Sequence, residues 1–152
     1  VIDAGFYSTD ILVLNDLQFD LNAVPPVSMP GMVQAYKNIS TSLKSDLNLS
    51  KEPWELEEYI ANGSKIHLGK EIIDISSDVK KSVNSLTRTI VSQMKNNIAT
   101  REIKTFYISG GAAPVIEEQL NKMTDFDTKV IQDHRKANAY GGVKWGQLIW
   151  DE

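Results

Sequence analysis

The chain has 152 residues, 41% of them hydrophobic and 24% charged, with a net charge of −4. That is the makeup of one globular domain with a single core, without the basic footprint of a nucleic-acid-binding protein. The absence of cysteine, with only two histidines (His67 and His134), excludes disulfides and thiolate metal sites and leaves little for a histidine-rich one. No apolar run approaches the roughly 18–20 residues of a membrane helix and no secretory leader is visible, so a cytoplasmic setting is expected. Val1 opens inside a strand pattern, which reads as a piece of a longer protein.

In chain order, Val1 to Leu14 reads as strand, tight turn, strand: an apolar lead-in carries Asp3, Gly5 permits the turn, and Ser8 and Thr9 precede a second apolar run. Asn15-Asp16 is a turn, and Leu17 to Leu21 alternates as a half-buried third strand. Val24 to Gly31 contains Pro25, Pro26 and Pro30 and is expected to be a loop. From Met32, the spacing of Val33, Tyr36, Ile39, Leu43 and Leu47 predicts a helix. A shorter helix follows from Pro53 and stops at Asn62-Gly63. Residues 64–74 read as a short strand or two, Lys65–Leu68 and Glu71–Ile73, around Gly69. The longest helix starts near Ser76-Ser77-Asp78, which can cap it, and its stripe runs from Val79 to Ile98. Ile103 to Ile108 is a strand ending in Ser109-Gly110-Gly111-Ala112-Ala113, and helix resumes through Leu120. Asp127–Gln132 is a short strand, and Ala137–Trp150 a terminal helix broken at Gly141-Gly142. Three antiparallel strands followed by helices alternating with two more strands predict an α/β layer with a mixed sheet.

Three constellations can carry chemistry. Asp3 with Gly5 fits a phosphate hairpin, with the amides of residues 5–8 facing phosphates and Asp3 holding a metal-bound or attacking water; it equally fits a turn capped by its own carboxylate. The glycines of Ser109–Ala113 let a ligand lie against the backbone at a helix start, or simply make a tight connection; the spacing is not that of the dinucleotide fingerprint. Ala137-Asn138-Ala139-Tyr140-Gly141-Gly142 marks close packing at a helix start. His134-Arg135-Lys136 reads as a solvated basic turn, and His67 as structural.

In this order and spacing the three constellations resemble the superfamily of actin, sugar-kinase and heat-shock chaperone ATPases. The likeness is nearest to the prokaryotic actin-like group, the plasmid-segregation ParM/StbA proteins and archaeal actin-like ATPases. Val1-Ile2-Asp3-Ala4-Gly5 with Ser8-Thr9-Asp10-Ile11 is similar to that group's phosphate hairpin. Phe106 to Gly111 is similar to its adenosine turn, and Ala137-Asn138-Ala139-Tyr140-Gly141 to its Ala-Asn-Ala-x-Gly signature.

The resemblance implies the C-terminal half of an actin-like ATPase: a ribonuclease-H-like layer (subdomain II) over residues 1–30 and 76–152, with a helical insertion over 31–75. It implies Asp3 as the catalytic carboxylate, acting on Mg2+ through water, with Gly5, Phe6, Tyr7 and Ser8 on the phosphates. Gly110, Gly111 and Ala112 would lie along the adenosine of ATP or GTP. It implies self-association into filaments and a DNA-binding adaptor, with no direct nucleic acid contact and no membrane. The isolated piece is expected to be inactive, because the superfamily's second Asp-x-Gly hairpin is absent. Phe6 and Tyr7 stand where the family usually has small residues, which favours an alternative, a non-hydrolysing actin-fold scaffold; half of a sugar or acid kinase is a third reading.

Overall fold

The computed structural model describes residues 1–16, 18–20, 28–98 and 102–150. The expected first hairpin is there: β1 (Ile2–Ala4) pairs antiparallel with β2 (Ser8–Ile11), Ile2 opposite Ile11 and Ala4 opposite Thr9. The third strand of this sheet comes from elsewhere than expected. Leu14–Asn15 (β3) and Gln18–Phe19 (β4) form a separate two-stranded hairpin, while Leu17 and Leu21 fall outside the described residues. The strand that joins β2 is β5, Met29–Pro30, inside the segment read as a proline loop; Val24–Val27 of that segment lie outside the described residues. β5 lies at the sheet edge, where the missing N–H of Pro30 takes nothing from the ladder.

After β5 the chain enters α1 (Met32–Leu47), then α2 (Pro53–Ala61) and the hairpin β6 (Lys65–Leu68) and β7 (Glu71–Asp74), which turns at Gly69 with φ +62°. Pro53 sits in the first turn of α2, and a reciprocal capping box between Glu52 and Glu55 closes that helix start. The long helix α3 spans Ser76–Asn97 and buries Val83, Leu86, Ile90, Val91 and Met94, the stripe read from the sequence. Its cap differs from the expected one. Asp74 precedes the helix and accepts the Ser76 amide at 2.8 Å, whereas Ser76 and Asp78 are themselves helical.

That cap titrates. Hydrogen bonds from Ser76, through its hydroxyl and then its amide, hold the Asp74 carboxyl below the usual carboxylate range. A depressed folded-state pKa contributes stability above the unfolded-state value and loses it as pH falls through the folded-state value. Asp74→Ser, which keeps a capping oxygen without a titrating group, is therefore expected to flatten the loss of thermal stability below about pH 4. An unchanged acid limb in the melting curves would show that Asp74 does not contribute to it.

The chain then forms β8 (Phe106–Ser109), α4 (Ala113–Met123), β9 (Thr128–Val130) and α5 (Ala137–Trp150). β8 starts three residues later than the apolar pattern suggested, with Ile103 packed against the core ahead of it. β1, β8 and β9 run parallel, giving the order β5-β2-β1-β8-β9 and a mixed five-stranded sheet. The two crossovers place α4 against β1, β8 and β9, with α3 against α4 and β5, and α1 against α3. Ile2, Ala4, Phe106 and Ile108 face this helical layer and are buried in it. By strand alternation Asp3, Asp10, Tyr107 and Ser109 face the other way.

α5 is a continuous helix and is not broken at Gly141-Gly142. Neither glycine takes a positive φ, and an interior glycine costs a helix only about 1 kcal/mol. Among the described residues no helix is long and apolar enough to cross a membrane.

Candidate functional site

The carboxyl ends of β1 and β8 lie side by side, and this is where the first two constellations meet. Asp3 pairs with Ser109 across the parallel ladder and with Asp10 across the antiparallel one, so one row of the open face reads Asp10, Asp3, Ser109. Open α/β sheets bind ligands just outside the carboxyl ends of their parallel strands. Gly110 makes the junction possible. Gly110 has φ +89°, and a Cβ there would fall 2.3 Å from the Ala4 carbonyl oxygen and 2.8 Å from Asp3 Oδ1. The Ala112 amide then donates to the Ala4 carbonyl at 3.1 Å, tying the start of α4 to the end of β1. Gly111 is exposed, and a Cβ on it would meet nothing within 4 Å, so that side of the turn is open to a ligand.

The hairpin turn is built against the entry to α1. Gly31, Met32 and Val33 donate their amides to the carbonyls of Tyr7, Gly5 and Phe6 at 3.1, 3.1 and 2.8 Å. A planar trans peptide opposes its N–H to its C=O, so the amides of Phe6, Tyr7 and Ser8 point away from the α1 groups that hold those carbonyls. The closeness is enforced at both ends. A Cβ on Gly31 would lie 2.6 Å from backbone atoms of Phe6, Tyr7 and Ser8, and one on Gly5 would lie 2.9 Å from the Ser8 carbonyl. The Phe6 ring turns inward to meet Tyr36 of α1 at 5.7 Å, and Tyr7 lies edge-on to it, 81% exposed.

Asp3 is half-buried and held by neutral donors. The Ser109 hydroxyl donates to Oδ1 at 3.2 Å, and the Asn138 side-chain amide donates to Oδ2 at 2.7 Å. Among the described residues it forms no ion pair, so its charge is oriented without being neutralised. The described residues contain no group of three or more metal-ligating side chains. One fixed carboxylate beside a hairpin whose amides turn away from α1 suits a magnesium ion that keeps most of its waters and takes its other ligands from phosphates.

The structure thus brings Asp3, Gly5 to Ser8, and Gly110 to Ala112 to one end of the sheet, together with residues whose part the sequence did not reveal. Asn138 belongs to the small-residue helix start and the Ala-Asn-Ala-x-Gly resemblance, neither of which gives it a part in the site. His134, read as a solvated turn residue, is half-buried and docked: its carbonyl accepts the Gly110 amide at 3.0 Å, and its Nδ1 lies 2.7 Å from the Gly110 oxygen. Asp10 accepts the Ser8 hydroxyl at 2.9 Å beside Asp3. Only the small residues flanking Asn138 hinted at such closeness.

This mixed sheet, with α3 and α4 packed on one face and its glycine turns at one end, is the fold of the actin-like proteins. Over 97% of its length the chain superposes on a ParM from a 15-stranded Clostridium botulinum filament, with a TM-score of 0.81 and 20% identity, covering 44% of that chain. It superposes equally fully on the archaeal actin homologue Ta0583, with a TM-score of 0.83, 17% identity and 47% of that chain covered. For the ADP complex of Ta0583 the values are 0.80, 15%, 97% of this chain and 48% of that one. The chain therefore spans less than half the length of these neighbours. No curated protein matched the sequence. Residues 1–122 match the family model for the C-terminal region of the archaeal actin homologue, MreB-like, and the chain belongs to that family.

Proposed function

We propose that this chain is the nucleotide-binding C-terminal half of a filament-forming actin-like ATPase that acts in the cytoplasm, in plasmid segregation through a DNA-binding adaptor. One observation carries the reading: an oriented, uncompensated carboxylate, a glycine hairpin whose carbonyls are held by the start of α1, and an open glycine turn converge at the carboxyl ends of two parallel strands. Asp3 would orient water, with the amides of Phe6, Tyr7 and Ser8 on the phosphates and Gly110 to Ala112 along the nucleoside of ATP or GTP. Mg2+ would neutralise phosphate charge during transfer. The neighbour solved with ADP and the neighbour solved as a filament support the nucleotide and the assembly, respectively. We further place a core at residues 1–30 and 76–152 and a helical insertion at 31–75, in which α2 rests on α1 and β6 while α1 packs on α3 of the core.

α5 supports the reading that this is one half of a larger body. Tyr140, Val143, Trp145, Leu148 and Ile149 are all large, apolar and exposed, Leu148 by 69%. At about 100° per residue they spread over more than half the helix circumference, a pattern that belongs to a helix buried on most sides. The isolated 152-residue chain is therefore expected to self-associate, and Leu148→Asp with Ile149→Asp to return it to a monomer in analytical ultracentrifugation. Equal association of the parent and the double variant would remove α5 as the sticky surface.

Titrating the full-length protein with Mg-ATP and following light scattering tests the function directly. Nucleotide binding accompanied by ATP-dependent scattering is the expected result. Absence of binding would favour a non-hydrolysing actin-fold scaffold, the reading suggested by the exposed Tyr7 at the hairpin tip.

A further inference from the structure

The connection between β9 and α5 reaches both parts of the site. His134 grips Gly110 twice, its carbonyl accepting the Gly110 amide and its imidazole Nδ1 meeting the Gly110 oxygen. A carbonyl oxygen only accepts, so Nδ1 carries the hydrogen in this contact. Four residues on, Asn138 donates to Asp3 Oδ2, while Ser109 occupies Oδ1 from the opposite element. The segment between is itself fixed: Lys136 donates its amide to the Asp133 carbonyl at 2.7 Å, and Tyr140 donates to Lys136 at 3.0 Å, which carries the turn into α5.

We infer that residues 134–138 form a positioning strap in which His134 sets the Gly110 turn and Asn138 sets which lone pairs of Asp3 face the ligand. The inference rests on the nucleotide reading above. The terminal torsion of an aspartate is broad and roughly two-fold, so a carboxylate held on one oxygen alone can swing. Held on both oxygens, from β8 and from α5, it presents its remaining lone pairs in one direction. The two strap residues therefore act on different steps: His134 on nucleotide affinity, through the glycine turn, and Asn138 on turnover, through the carboxylate.

The test is a pair of substitutions in the full-length protein, with ATP affinity measured by calorimetry and turnover measured separately. Asn138→Ala is expected to lower kcat roughly 10- to 100-fold with affinity unchanged, as loss of an outer partner of a reactive group does. Asn138→Gln, which keeps the amide, should restore most of that turnover. His134→Ala is expected to weaken ATP binding roughly 10-fold with kcat at saturation unchanged, and His134→Asn, which can place an amide near the former Nδ1, should recover affinity. Independently of activity, the Asn138 side-chain amide resonance should shift when Asp3 is replaced by Ala. Asn138 is exposed, so its loss leaves the core intact; Asn138→Leu, matched in size, replaces the alanine variant if that fails to fold. Absence of ATP binding by the unsubstituted full-length protein would sink the nucleotide reading itself, whereas wild-type turnover in Asp3→Ala would overturn the strap's action through the carboxylate. Loss of turnover in Asp3→Ala with wild-type behaviour in Asn138→Ala, or equal losses of affinity and turnover in both strap variants, would overturn the strap alone.

Discussion

Asp3→Ala in the full-length protein is expected to lower ATP hydrolysis by roughly 10²- to 10⁴-fold, the range contributed by a positioned carboxylate acting on a nucleophile or its proton. Nucleotide affinity should change far less, because on the proposed reading the amides of the hairpin and the glycine turn would hold the phosphates and the nucleoside. Stability should fall only modestly: Asn138 is exposed and water can replace its partner, while the buried Ser109 hydroxyl loses the carboxylate it donates to. Single-turnover hydrolysis, calorimetric affinity and a thermal melt separate the three effects. Hydrolysis within a few-fold of wild type would show that this carboxylate does not act on the reacting water. A large loss of affinity with intact folding would place Asp3 in binding instead.

Much of the candidate site's geometry was legible in the sequence, and what was missed has a physical pattern. Asp3, Gly5 and Gly110 could be found because each sits where a strand ends and a turn begins, and local sequence encodes such positions. Asn138 and His134 could not be assigned a part, because their partners lie 135 and 24 residues away and nothing local requires the contact. The same limit explains β5. Its two residues carry a proline and pair only because the sheet edge tolerates a missing donor, so no periodicity announces them. At Gly141-Gly142 local propensity pointed the wrong way, since two glycines weaken a helix without ending it. The long stripe of α3 was secure for the opposite reason: 22 residues at a regular spacing leave only one face to bury.

The largest effect on the fold itself is expected at Gly110. An alanine there must bring its Cβ within 2.3 Å of the Ala4 oxygen, 2.6 Å of the Ala4 carbonyl carbon and 2.8 Å of Asp3 Oδ1. The first two are backbone atoms in the middle of the sheet, so neither can swing aside as a side chain would. The residue must also keep φ near +89°, a conformation that costs a non-glycine residue about 1–3 kcal/mol. Relieving the overlap costs about another 1–3 kcal/mol by shifting the backbone. For a domain of this size each kcal/mol moves the melting temperature by about 2–4 °C, so Gly110→Ala should lower it by roughly 5–20 °C. The relief has a direction. To make room, β8 must part from β1 at its carboxyl end, which lengthens the Ser109–Asp3 and Ala112–Ala4 contacts and loosens the His134 grip together. Nucleotide affinity should therefore fall even at temperatures where the variant is fully folded. Gly111→Ala is the matched control: a Cβ there has open space and an ordinary φ, so it should leave the melting temperature nearly unchanged. A loss of affinity without a loss of stability in Gly111→Ala would then mark that open side as the surface on which the nucleoside lies. Equal melting temperatures for the Gly110 and Gly111 variants would mean that the junction of β1 and β8 is not the rigid seat described above.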